Sequence, residues 1–338
     1  MTEAENFLTL FGGARGWDRN PQTYKIQDDA VHIADSNDHW EWWYFDFSFD
    51  NGYKAVATFH YRNMMIVPHI PTTQLFVYPP NGKPMAEMWA LKPGQQHYAA
   101  RDRCDVRMGD FSAVDQGDAY HVHMQMKRLG LDVTIRNTVP PWKAGTGVLW
   151  SEPSSAQETG WIVAIPRGIA NGVLTIGEQV LNVRGAAYHD HNYGTGPMEK
   201  PFKAWYWGRL FDEQFTIIYG WVMPRVPGLP VVSPFMLARG SEIVLSTDLI
   251  HLIVTEIHDD KKFGFSLPMG MQILADVDNV NVDCRLKTER VVEALELPRG
   301  GKYFHYYRFL ATYDADVNLD GTRHRASGET FHEAMYLD

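Results

Sequence analysis

The sequence predicts an all-β protein built from two antiparallel, barrel-like units. Three observations lead there: short stretches of period-2 alternation, turn signals at close spacing between them, and an internal repeat. Residues 53–61, Tyr-Lys-Ala-Val-Ala-Thr-Phe-His-Tyr, alternate as a strand does, and so do 120–124 and 131–135. Further strands are expected at 216–222, 241–246, 250–258, 281–286 and 303–313. Asp50-Asn51-Gly52, Pro80-Asn81-Gly82, Asp320-Gly321 and the proline-rich residues 224–234 supply the turns. No amphipathic helix of four turns stands out, and residues 289–297 are the best short candidate. Many short strands with frequent turns indicate a sandwich or barrel, and 338 residues leave room for two.

The repeat supports two units. Glu41-Trp42-Trp43-Tyr44-Phe45-Asp46 and Ala204-Trp205-Tyr206-Trp207-Gly208-Arg209 align at an offset of 163 residues, close to half the chain. Each runs through a polar turn into an apolar strand. Pro140-Pro141, Gly145, Gly147 and Pro153-Ser154-Ser155 thin out the strand pattern between residues 140 and 160. The expected units are therefore 1–150 and 151–338.

Composition narrows the function. Asp and Glu number 41 against 31 Lys and Arg, a formal charge of −10, and phosphate binding needs a basic face, so nucleic acid is excluded as the partner. The longest apolar runs, such as 215–223, fall short of the roughly 20 residues of a membrane-spanning helix, so no integral membrane segment is expected. The N-terminus carries acidic residues where a signal peptide is basic. Cys104 and Cys284 lie far apart and outside any CxxC pair, which points to two reduced thiols in a cytoplasmic protein.

The densest polar cluster is Tyr188-His189-Asp190-His191-Asn192-Tyr193-Gly194. On a strand, His189, His191 and Tyr193 share one face, and Tyr188, Asp190 and Asn192 share the other. Neither face is aliphatic, so the strand is either solvated or lines a polar pocket. Asp190, if buried enough to be protonated, is the best acid, and a structural hydrogen-bond network is the competing reading. His-x-His binds zinc only with a further ligand, and none announces itself, so no metal and no cofactor are expected. The pair His121 and His123 has the same spacing. In the aromatic segments, Trp42 and Tyr44 oppose Trp43, and Trp205 and Trp207 oppose Tyr206; each side chain is either core or pocket wall. Aromatic walls also stabilise a carbocation. Glu41 and Arg209 flank these segments as polar anchors or as solvated charges. No Walker A, G-x-G-x-x-G or G-x-S-x-G pattern occurs.

The segments EWWYFD at 41–46, YHDHNYG at 188–194 and AWYWGRL at 204–210 resemble the AttH-like and carotenoid 1,2-hydratase (hydroxyneurosporene synthase) superfamily. The ending GETFHE at 328–333 looks like its closing strand. The resemblance implies two lipocalin-like barrels packed together, with a ligand pocket within or between them. It implies an enzyme that hydrates or cyclises an alkene of an apolar prenyl, terpenoid or polyene-like small molecule. A [4+2] cyclase acting by shape and hydrogen bonds, and a lipocalin-like carrier without chemistry, are the alternatives. Carried over by position, His189, Asp190, His191 and Tyr193 are the catalytic candidates. Trp42, Trp43, Tyr44, Asn192, Trp205, Tyr206 and Trp207 are the substrate-binding candidates. Substrate identity and oligomeric state stay open.

Overall fold

The computed structural model describes residues 24–33, 36–64, 69–152, 155, 157–299 and 301–337. The chain divides into two compact units, one running through Lys143 and Gly147–Pro197, the other from Met198 onward. In the first lie β1 (His39–Phe49), β2 (Lys54–Arg62), β3 (Thr72–Tyr78), β4 (Met85–Ala90), β5 (His97–Ala99) and β6 (Asp105–Met108). They are followed by β7 (Phe111–Asp115), β8 (Tyr120–Gln125), β9 (Leu129–Asn137), β10 (Trp142–Glu152), β11 (Gln157–Ile176) and β12 (Gln179–Thr195). The second holds β13 (Phe202–Phe211), β14 (Phe215–Pro224), β15 (Phe235–Arg239), β16 (Glu242–Thr247) and β17 (Ile250–Asp259). It is completed by β18 (Ser266–Val277), β19 (Val280–Arg299), β20 (Lys302–Leu319) and β21 (Thr322–Leu337). A single-turn 3-10 segment, Ile26–Asp29, precedes β1.

The fold is all-β, as the alternation predicts, and lipocalin-like, as the resemblance implies. Each unit is one curled antiparallel sheet around its own core. The first runs β4-β3-β2-β1-β12-β11-β9-β8-β7-β6-β5, with β10 on β11; the second runs β16-β15-β14-β13-β21-β20-β19-β18-β17. The hydrogen-bonded path is open in both. Phe45, Phe47, Phe59, Leu75, Val122 and Ile135 pack inside the first sheet, and Ile217, Phe235, Leu237 and Ile273 inside the second. Edge strands are wetter than central ones: β17 is largely exposed and β4 half-buried, whereas β1 and the second half of β12 are buried on both faces. No helix of the described residues is long and apolar enough to cross a membrane.

The repeat is visible in the topology, because β1 and β13 each pair with the last strand of their own unit. Trp42 stands opposite Asn192 and Trp205 opposite Met335, so the register matches Asp190 with Glu333 and His189 with His332. Two expectations meet a different structure. β10 and β11 pair as a hairpin of the first sheet, and β11 and β12 complete that sheet, so the first unit runs on to Pro197 (Pro153, Ser154 and Ala156 lie outside the described residues). Pro140 and Pro141 lead into β10, and Gly145 and Gly147 lie at a register shift within it rather than in a linker. Residues 289–297 are strand, the middle of β19. Register shifts at Thr288/Arg290 and Val291/Glu293 break the strict alternation there, which is how a bulged strand comes to imitate helical spacing.

His332 is fully buried, stacked on Phe309 at 4.5 Å, with Nε2 2.8 Å from the Thr288 hydroxyl. Burial pushes its pKa down to about 3. The unfolded chain takes up that proton near the ordinary value of about 6.5, so the stability His332 contributes is complete above that pH and lost as pH falls towards 3. Melting temperature should therefore drop through this window, and His332→Gln should flatten the drop; an unchanged slope in the variant would refute the assignment. Cys104 and Cys284 are both buried free thiols, so two thiols should titrate after denaturation without reductant and react slowly before it.

Candidate active site

The site rests on the pairing of β1 with β12. Register places Glu41 opposite Tyr193, Trp43 opposite His191 and Phe45 opposite His189, all on the core face. On the other face Trp42 meets Asn192, Tyr44 meets Asp190 and Asp46 meets Tyr188. The two faces expected for residues 188–193 are the ones observed.

The core face carries a buried ionic chain. His189 Nδ1 donates to the Tyr44 carbonyl at 2.9 Å, and Nε2 stands 3.0 Å from Asp29 Oδ2. The Tyr120 hydroxyl donates to the same Asp29 oxygen at 2.9 Å. Both ring nitrogens of His189 face acceptors. Burial alone would lower its pKa, but the Asp29 carboxylate and the Tyr44 carbonyl outweigh burial and raise it above the ordinary value. His191 Nε2 lies 2.8 Å from Glu41 Oε1, and its Nδ1 lies 3.5 Å from Asp29 Oδ1. For His191 burial prevails over Glu41 and lowers the pKa.

Glu41 is fully buried and heavily partnered. Its Oε1 accepts from the His32 backbone N–H at 2.7 Å, and its Oε2 is 3.0 Å from His39 Nε2. Burial would raise its pKa, yet hydrogen bonds from His191, His32 and His39 hold it well below the usual carboxylate range. Aromatic rings clamp the imidazoles: Trp43 on His191 at 4.2 Å, Phe45 on His189 at 3.9 Å, Tyr193 on His32 at 3.6 Å. Gly160 of β11 admits the Tyr193 ring, since a Cβ there would sit 2.2 Å from it. A register shift between Glu41 and Trp42 against β2 marks this corner. A cleft of roughly 630 Å³ opens beside it, lined by His39, Tyr61, Arg62, His69 and His97 among others.

On the opposite face Asp190 gathers donors. Its Oδ2 accepts from Trp161 Nε1 at 2.9 Å and from the Tyr188 hydroxyl at 2.8 Å, and its Oδ1 from Asn192 Nδ2 at 2.8 Å. Asp190 thus accepts from an indole, a phenol and an amide, which fixes the orientation of its carboxyl group. Tyr44 lies edge-on to Tyr188 at 6.3 Å and hydrogen-bonds Asp46 at 3.4 Å. Trp42 stacks on Trp40 at 5.1 Å.

Other candidates separate. Trp43 and Tyr193 serve the core face rather than the Asp190 face. Trp205, Tyr206 and Trp207 lie on β13 in the second unit, where Tyr206 packs on the core. Glu41 and Arg209 are both buried and so are not surface charges. His121 and His123 share Asp132 on the exposed face of β8 and β9. Asp29, His32, His39 and Trp161 are additions that no spacing announces. Among the described residues, two triads bring ligand atoms within 4.8 Å of one another: His32–Glu41–His191 and Asp29–Cys104–His189. Burial drives the Cys104 thiol pKa well above its ordinary value, which disfavours the thiolate a metal needs in the second triad.

A family model described as AttH-like matches residues 73–331. The chain belongs to the AttH-like family. A hydroxyneurosporene dehydrogenase of Chlorobaculum tepidum is 42% identical over 65 residues, 18% of this chain. That match spans only 17% of the curated relative's own length. The structure of an AttH protein of Nitrosomonas europaea superposes with a TM-score of 0.67 at 16% identity, covering 92% of this chain and 96% of the other. Kievitone hydratase of Nectria haematococca superposes at 0.58 and 11% identity, covering 95% and 98%. At such identities the likeness is one of fold. In this AttH-like chain the ionic chain around Asp29 is the most exposed to single changes. Asp29→Asn removes a fully buried carboxylate from between His189 and Tyr120 and should cost about 3–5 kcal/mol in urea unfolding. A loss below about 1 kcal/mol would show that the pair is not formed.

Proposed function

We propose that the chain is an enzyme that hydrates or cyclises an alkene of an apolar prenyl, terpenoid or polyene-like small molecule. The observation that carries this reading is Asp190, a buried carboxylate held by Trp161, Tyr188 and Asn192 on a face of Trp and Tyr rings. Positive charge developing on an alkene carbon is stabilised by a fixed anion and by aromatic faces, and both act more strongly away from water. In this reading Asp190 works as a carboxylate that faces the developing cation, and Asn192 and Tyr188 fix its orientation. Trp42 and Tyr44 form the apolar wall. Family membership and the name of the structural relative kievitone hydratase support hydration, without naming the substrate. The two free thiols support a reducing, cytoplasmic setting.

The first test is mass spectrometry of apolar compounds extracted from the purified protein, followed by turnover of what is found in ¹⁸O-labelled water. Hydration adds one labelled water; cyclisation leaves the mass unchanged. Asp190→Asn keeps the shape and removes the charge, so kcat should fall about 10²–10³-fold with KM little changed. A carboxylate role predicts a rate that declines as pH falls and Asp190 takes up a proton, whereas a proton-donor role predicts a decline as pH rises. Undiminished turnover in Asp190→Asn would shift the reading to a cyclase that acts by shape alone. Tight binding without turnover of any bound compound would make the protein a carrier.

A further inference from the structure

We propose that His32, Glu41 and His191 form a binding site for one divalent first-row transition ion, of the zinc or ferrous type. The site lies on the core face of β1 and β12, and the proposal does not depend on the reaction assigned to Asp190.

The donor set and its spacing come first. His32 Nδ1 is 3.5 Å and His191 Nε2 is 2.8 Å from the same carboxylate oxygen, Glu41 Oε1. Ligands about 2.1 Å from a tetrahedral ion stand about 3.4 Å from one another, so the triad needs only a small opening on the His191 side. Two imidazoles and a carboxylate suit zinc or ferrous iron, and the oxygen-rich shells that calcium and magnesium require are lacking in this triad.

A second observation is independent of the triad. Asp29 Oδ1 and His191 Nδ1 are both buried atoms without a hydrogen-bond partner, and they face each other at 3.5 Å. When an ion displaces the Nε2 proton that otherwise reaches Glu41, a proton on Nδ1 directed at Asp29 satisfies both buried atoms and turns the Nε2 lone pair to the ion. That is the carboxylate–histidine–metal arrangement, in which an outer carboxylate sets the tautomer of the ligating ring. His39 holds the far oxygen of Glu41 at 3.0 Å, and Trp43 and Tyr193 stack on the two ligating rings, so the ligands are oriented before any ion arrives. Access is at His32, whose side chain is 28% exposed while Glu41 and His191 are wholly covered. The expectation of no metal rested on a missing third ligand. The fold supplies it from the coil before β1.

The test uses untagged full-length protein, stripped with a chelator and dialysed against cobalt(II) alone. Elemental analysis should then find one equivalent, and zinc added to the stripped protein should raise its melting temperature. His32→Gln, at the exposed edge of the site, should weaken cobalt binding at least about 100-fold, since it removes a direct ligand rather than an outer-shell partner. A variant in which His121 and His123 are both replaced by Gln should bind as the parent does, because that exposed pair is a separate cluster. X-ray absorption of the cobalt-loaded parent should show imidazole and oxygen ligation without sulfur, which decides the matter even where a variant misfolds. Less than a tenth of an equivalent bound to the parent, undiminished binding by folded His32→Gln, or sulfur in the ligand shell would overturn the proposal.

Discussion

The register between β1 and β12 is the constraint on which the rest of the first unit depends. β1 and the second half of β12 are central and dry on both faces, so nearly every side chain there is placed against something. Because side chains alternate with period 2, a slip of one residue would exchange the two faces completely. Trp43 and Phe45 would leave the core, and Asp190 would enter it. The observed register instead sends His189, His191 and Glu41 inward to a common ionic chain, and Asp190 with Tyr188 and Asn192 outward to a common hydrogen-bond cluster.

The second unit shows what the same scaffold does without those charges. His332 occupies the place of His189 and is equally buried, but its described neighbours are Phe309 and Thr288, and its pKa falls to about 3. His189 meets Asp29, and there the balance reverses. The position in the sheet is shared; the partner from outside the sheet decides which way the pKa of the ring moves. Glu333, in the place of Asp190, pairs with Arg308 at 2.9 Å, whereas Asp190 is ringed by indole, phenol and amide donors.

Much of this was legible in the sequence, and the limits have physical reasons. Alternation across residues 188–193 placed each side chain on its face, because period 2 is a local property of a strand. The aromatic repeat located both central strands. Asp29 and His32 were out of reach: they sit in a short turn and a coil whose residues carry no periodicity, and they meet β12 across about 160 residues of sequence. Pro140, Pro141 and the glycines near them read as a linker because turn chemistry is the same in a hairpin and between domains. Residues 289–297 misled because bulges shift the phase of alternation, and single-residue patterns do not record a partner strand.

Burying two carboxylates and two imidazoles in one sheet is a poor route to stability, since desolvation can exceed what the pairs return and apolar side chains would fill the space as well. The second unit solves the equivalent packing problem with phenylalanine, threonine and a neutral histidine. The ionic chain of the first unit is therefore not required by the fold. What it does physically is fix β12 from the inside: His189 is tied to β1 and to the turn before it, and His191 is tied to Glu41 of β1. Asp190 lies between these two anchored rings and points the other way. A charge that must face a cation-like transition state within fractions of an ångström gains from a backbone held on both sides. On the reading proposed for Asp190 the two faces form one device: the core side holds β12 in place, and the carboxyl group on the other side faces the developing cation.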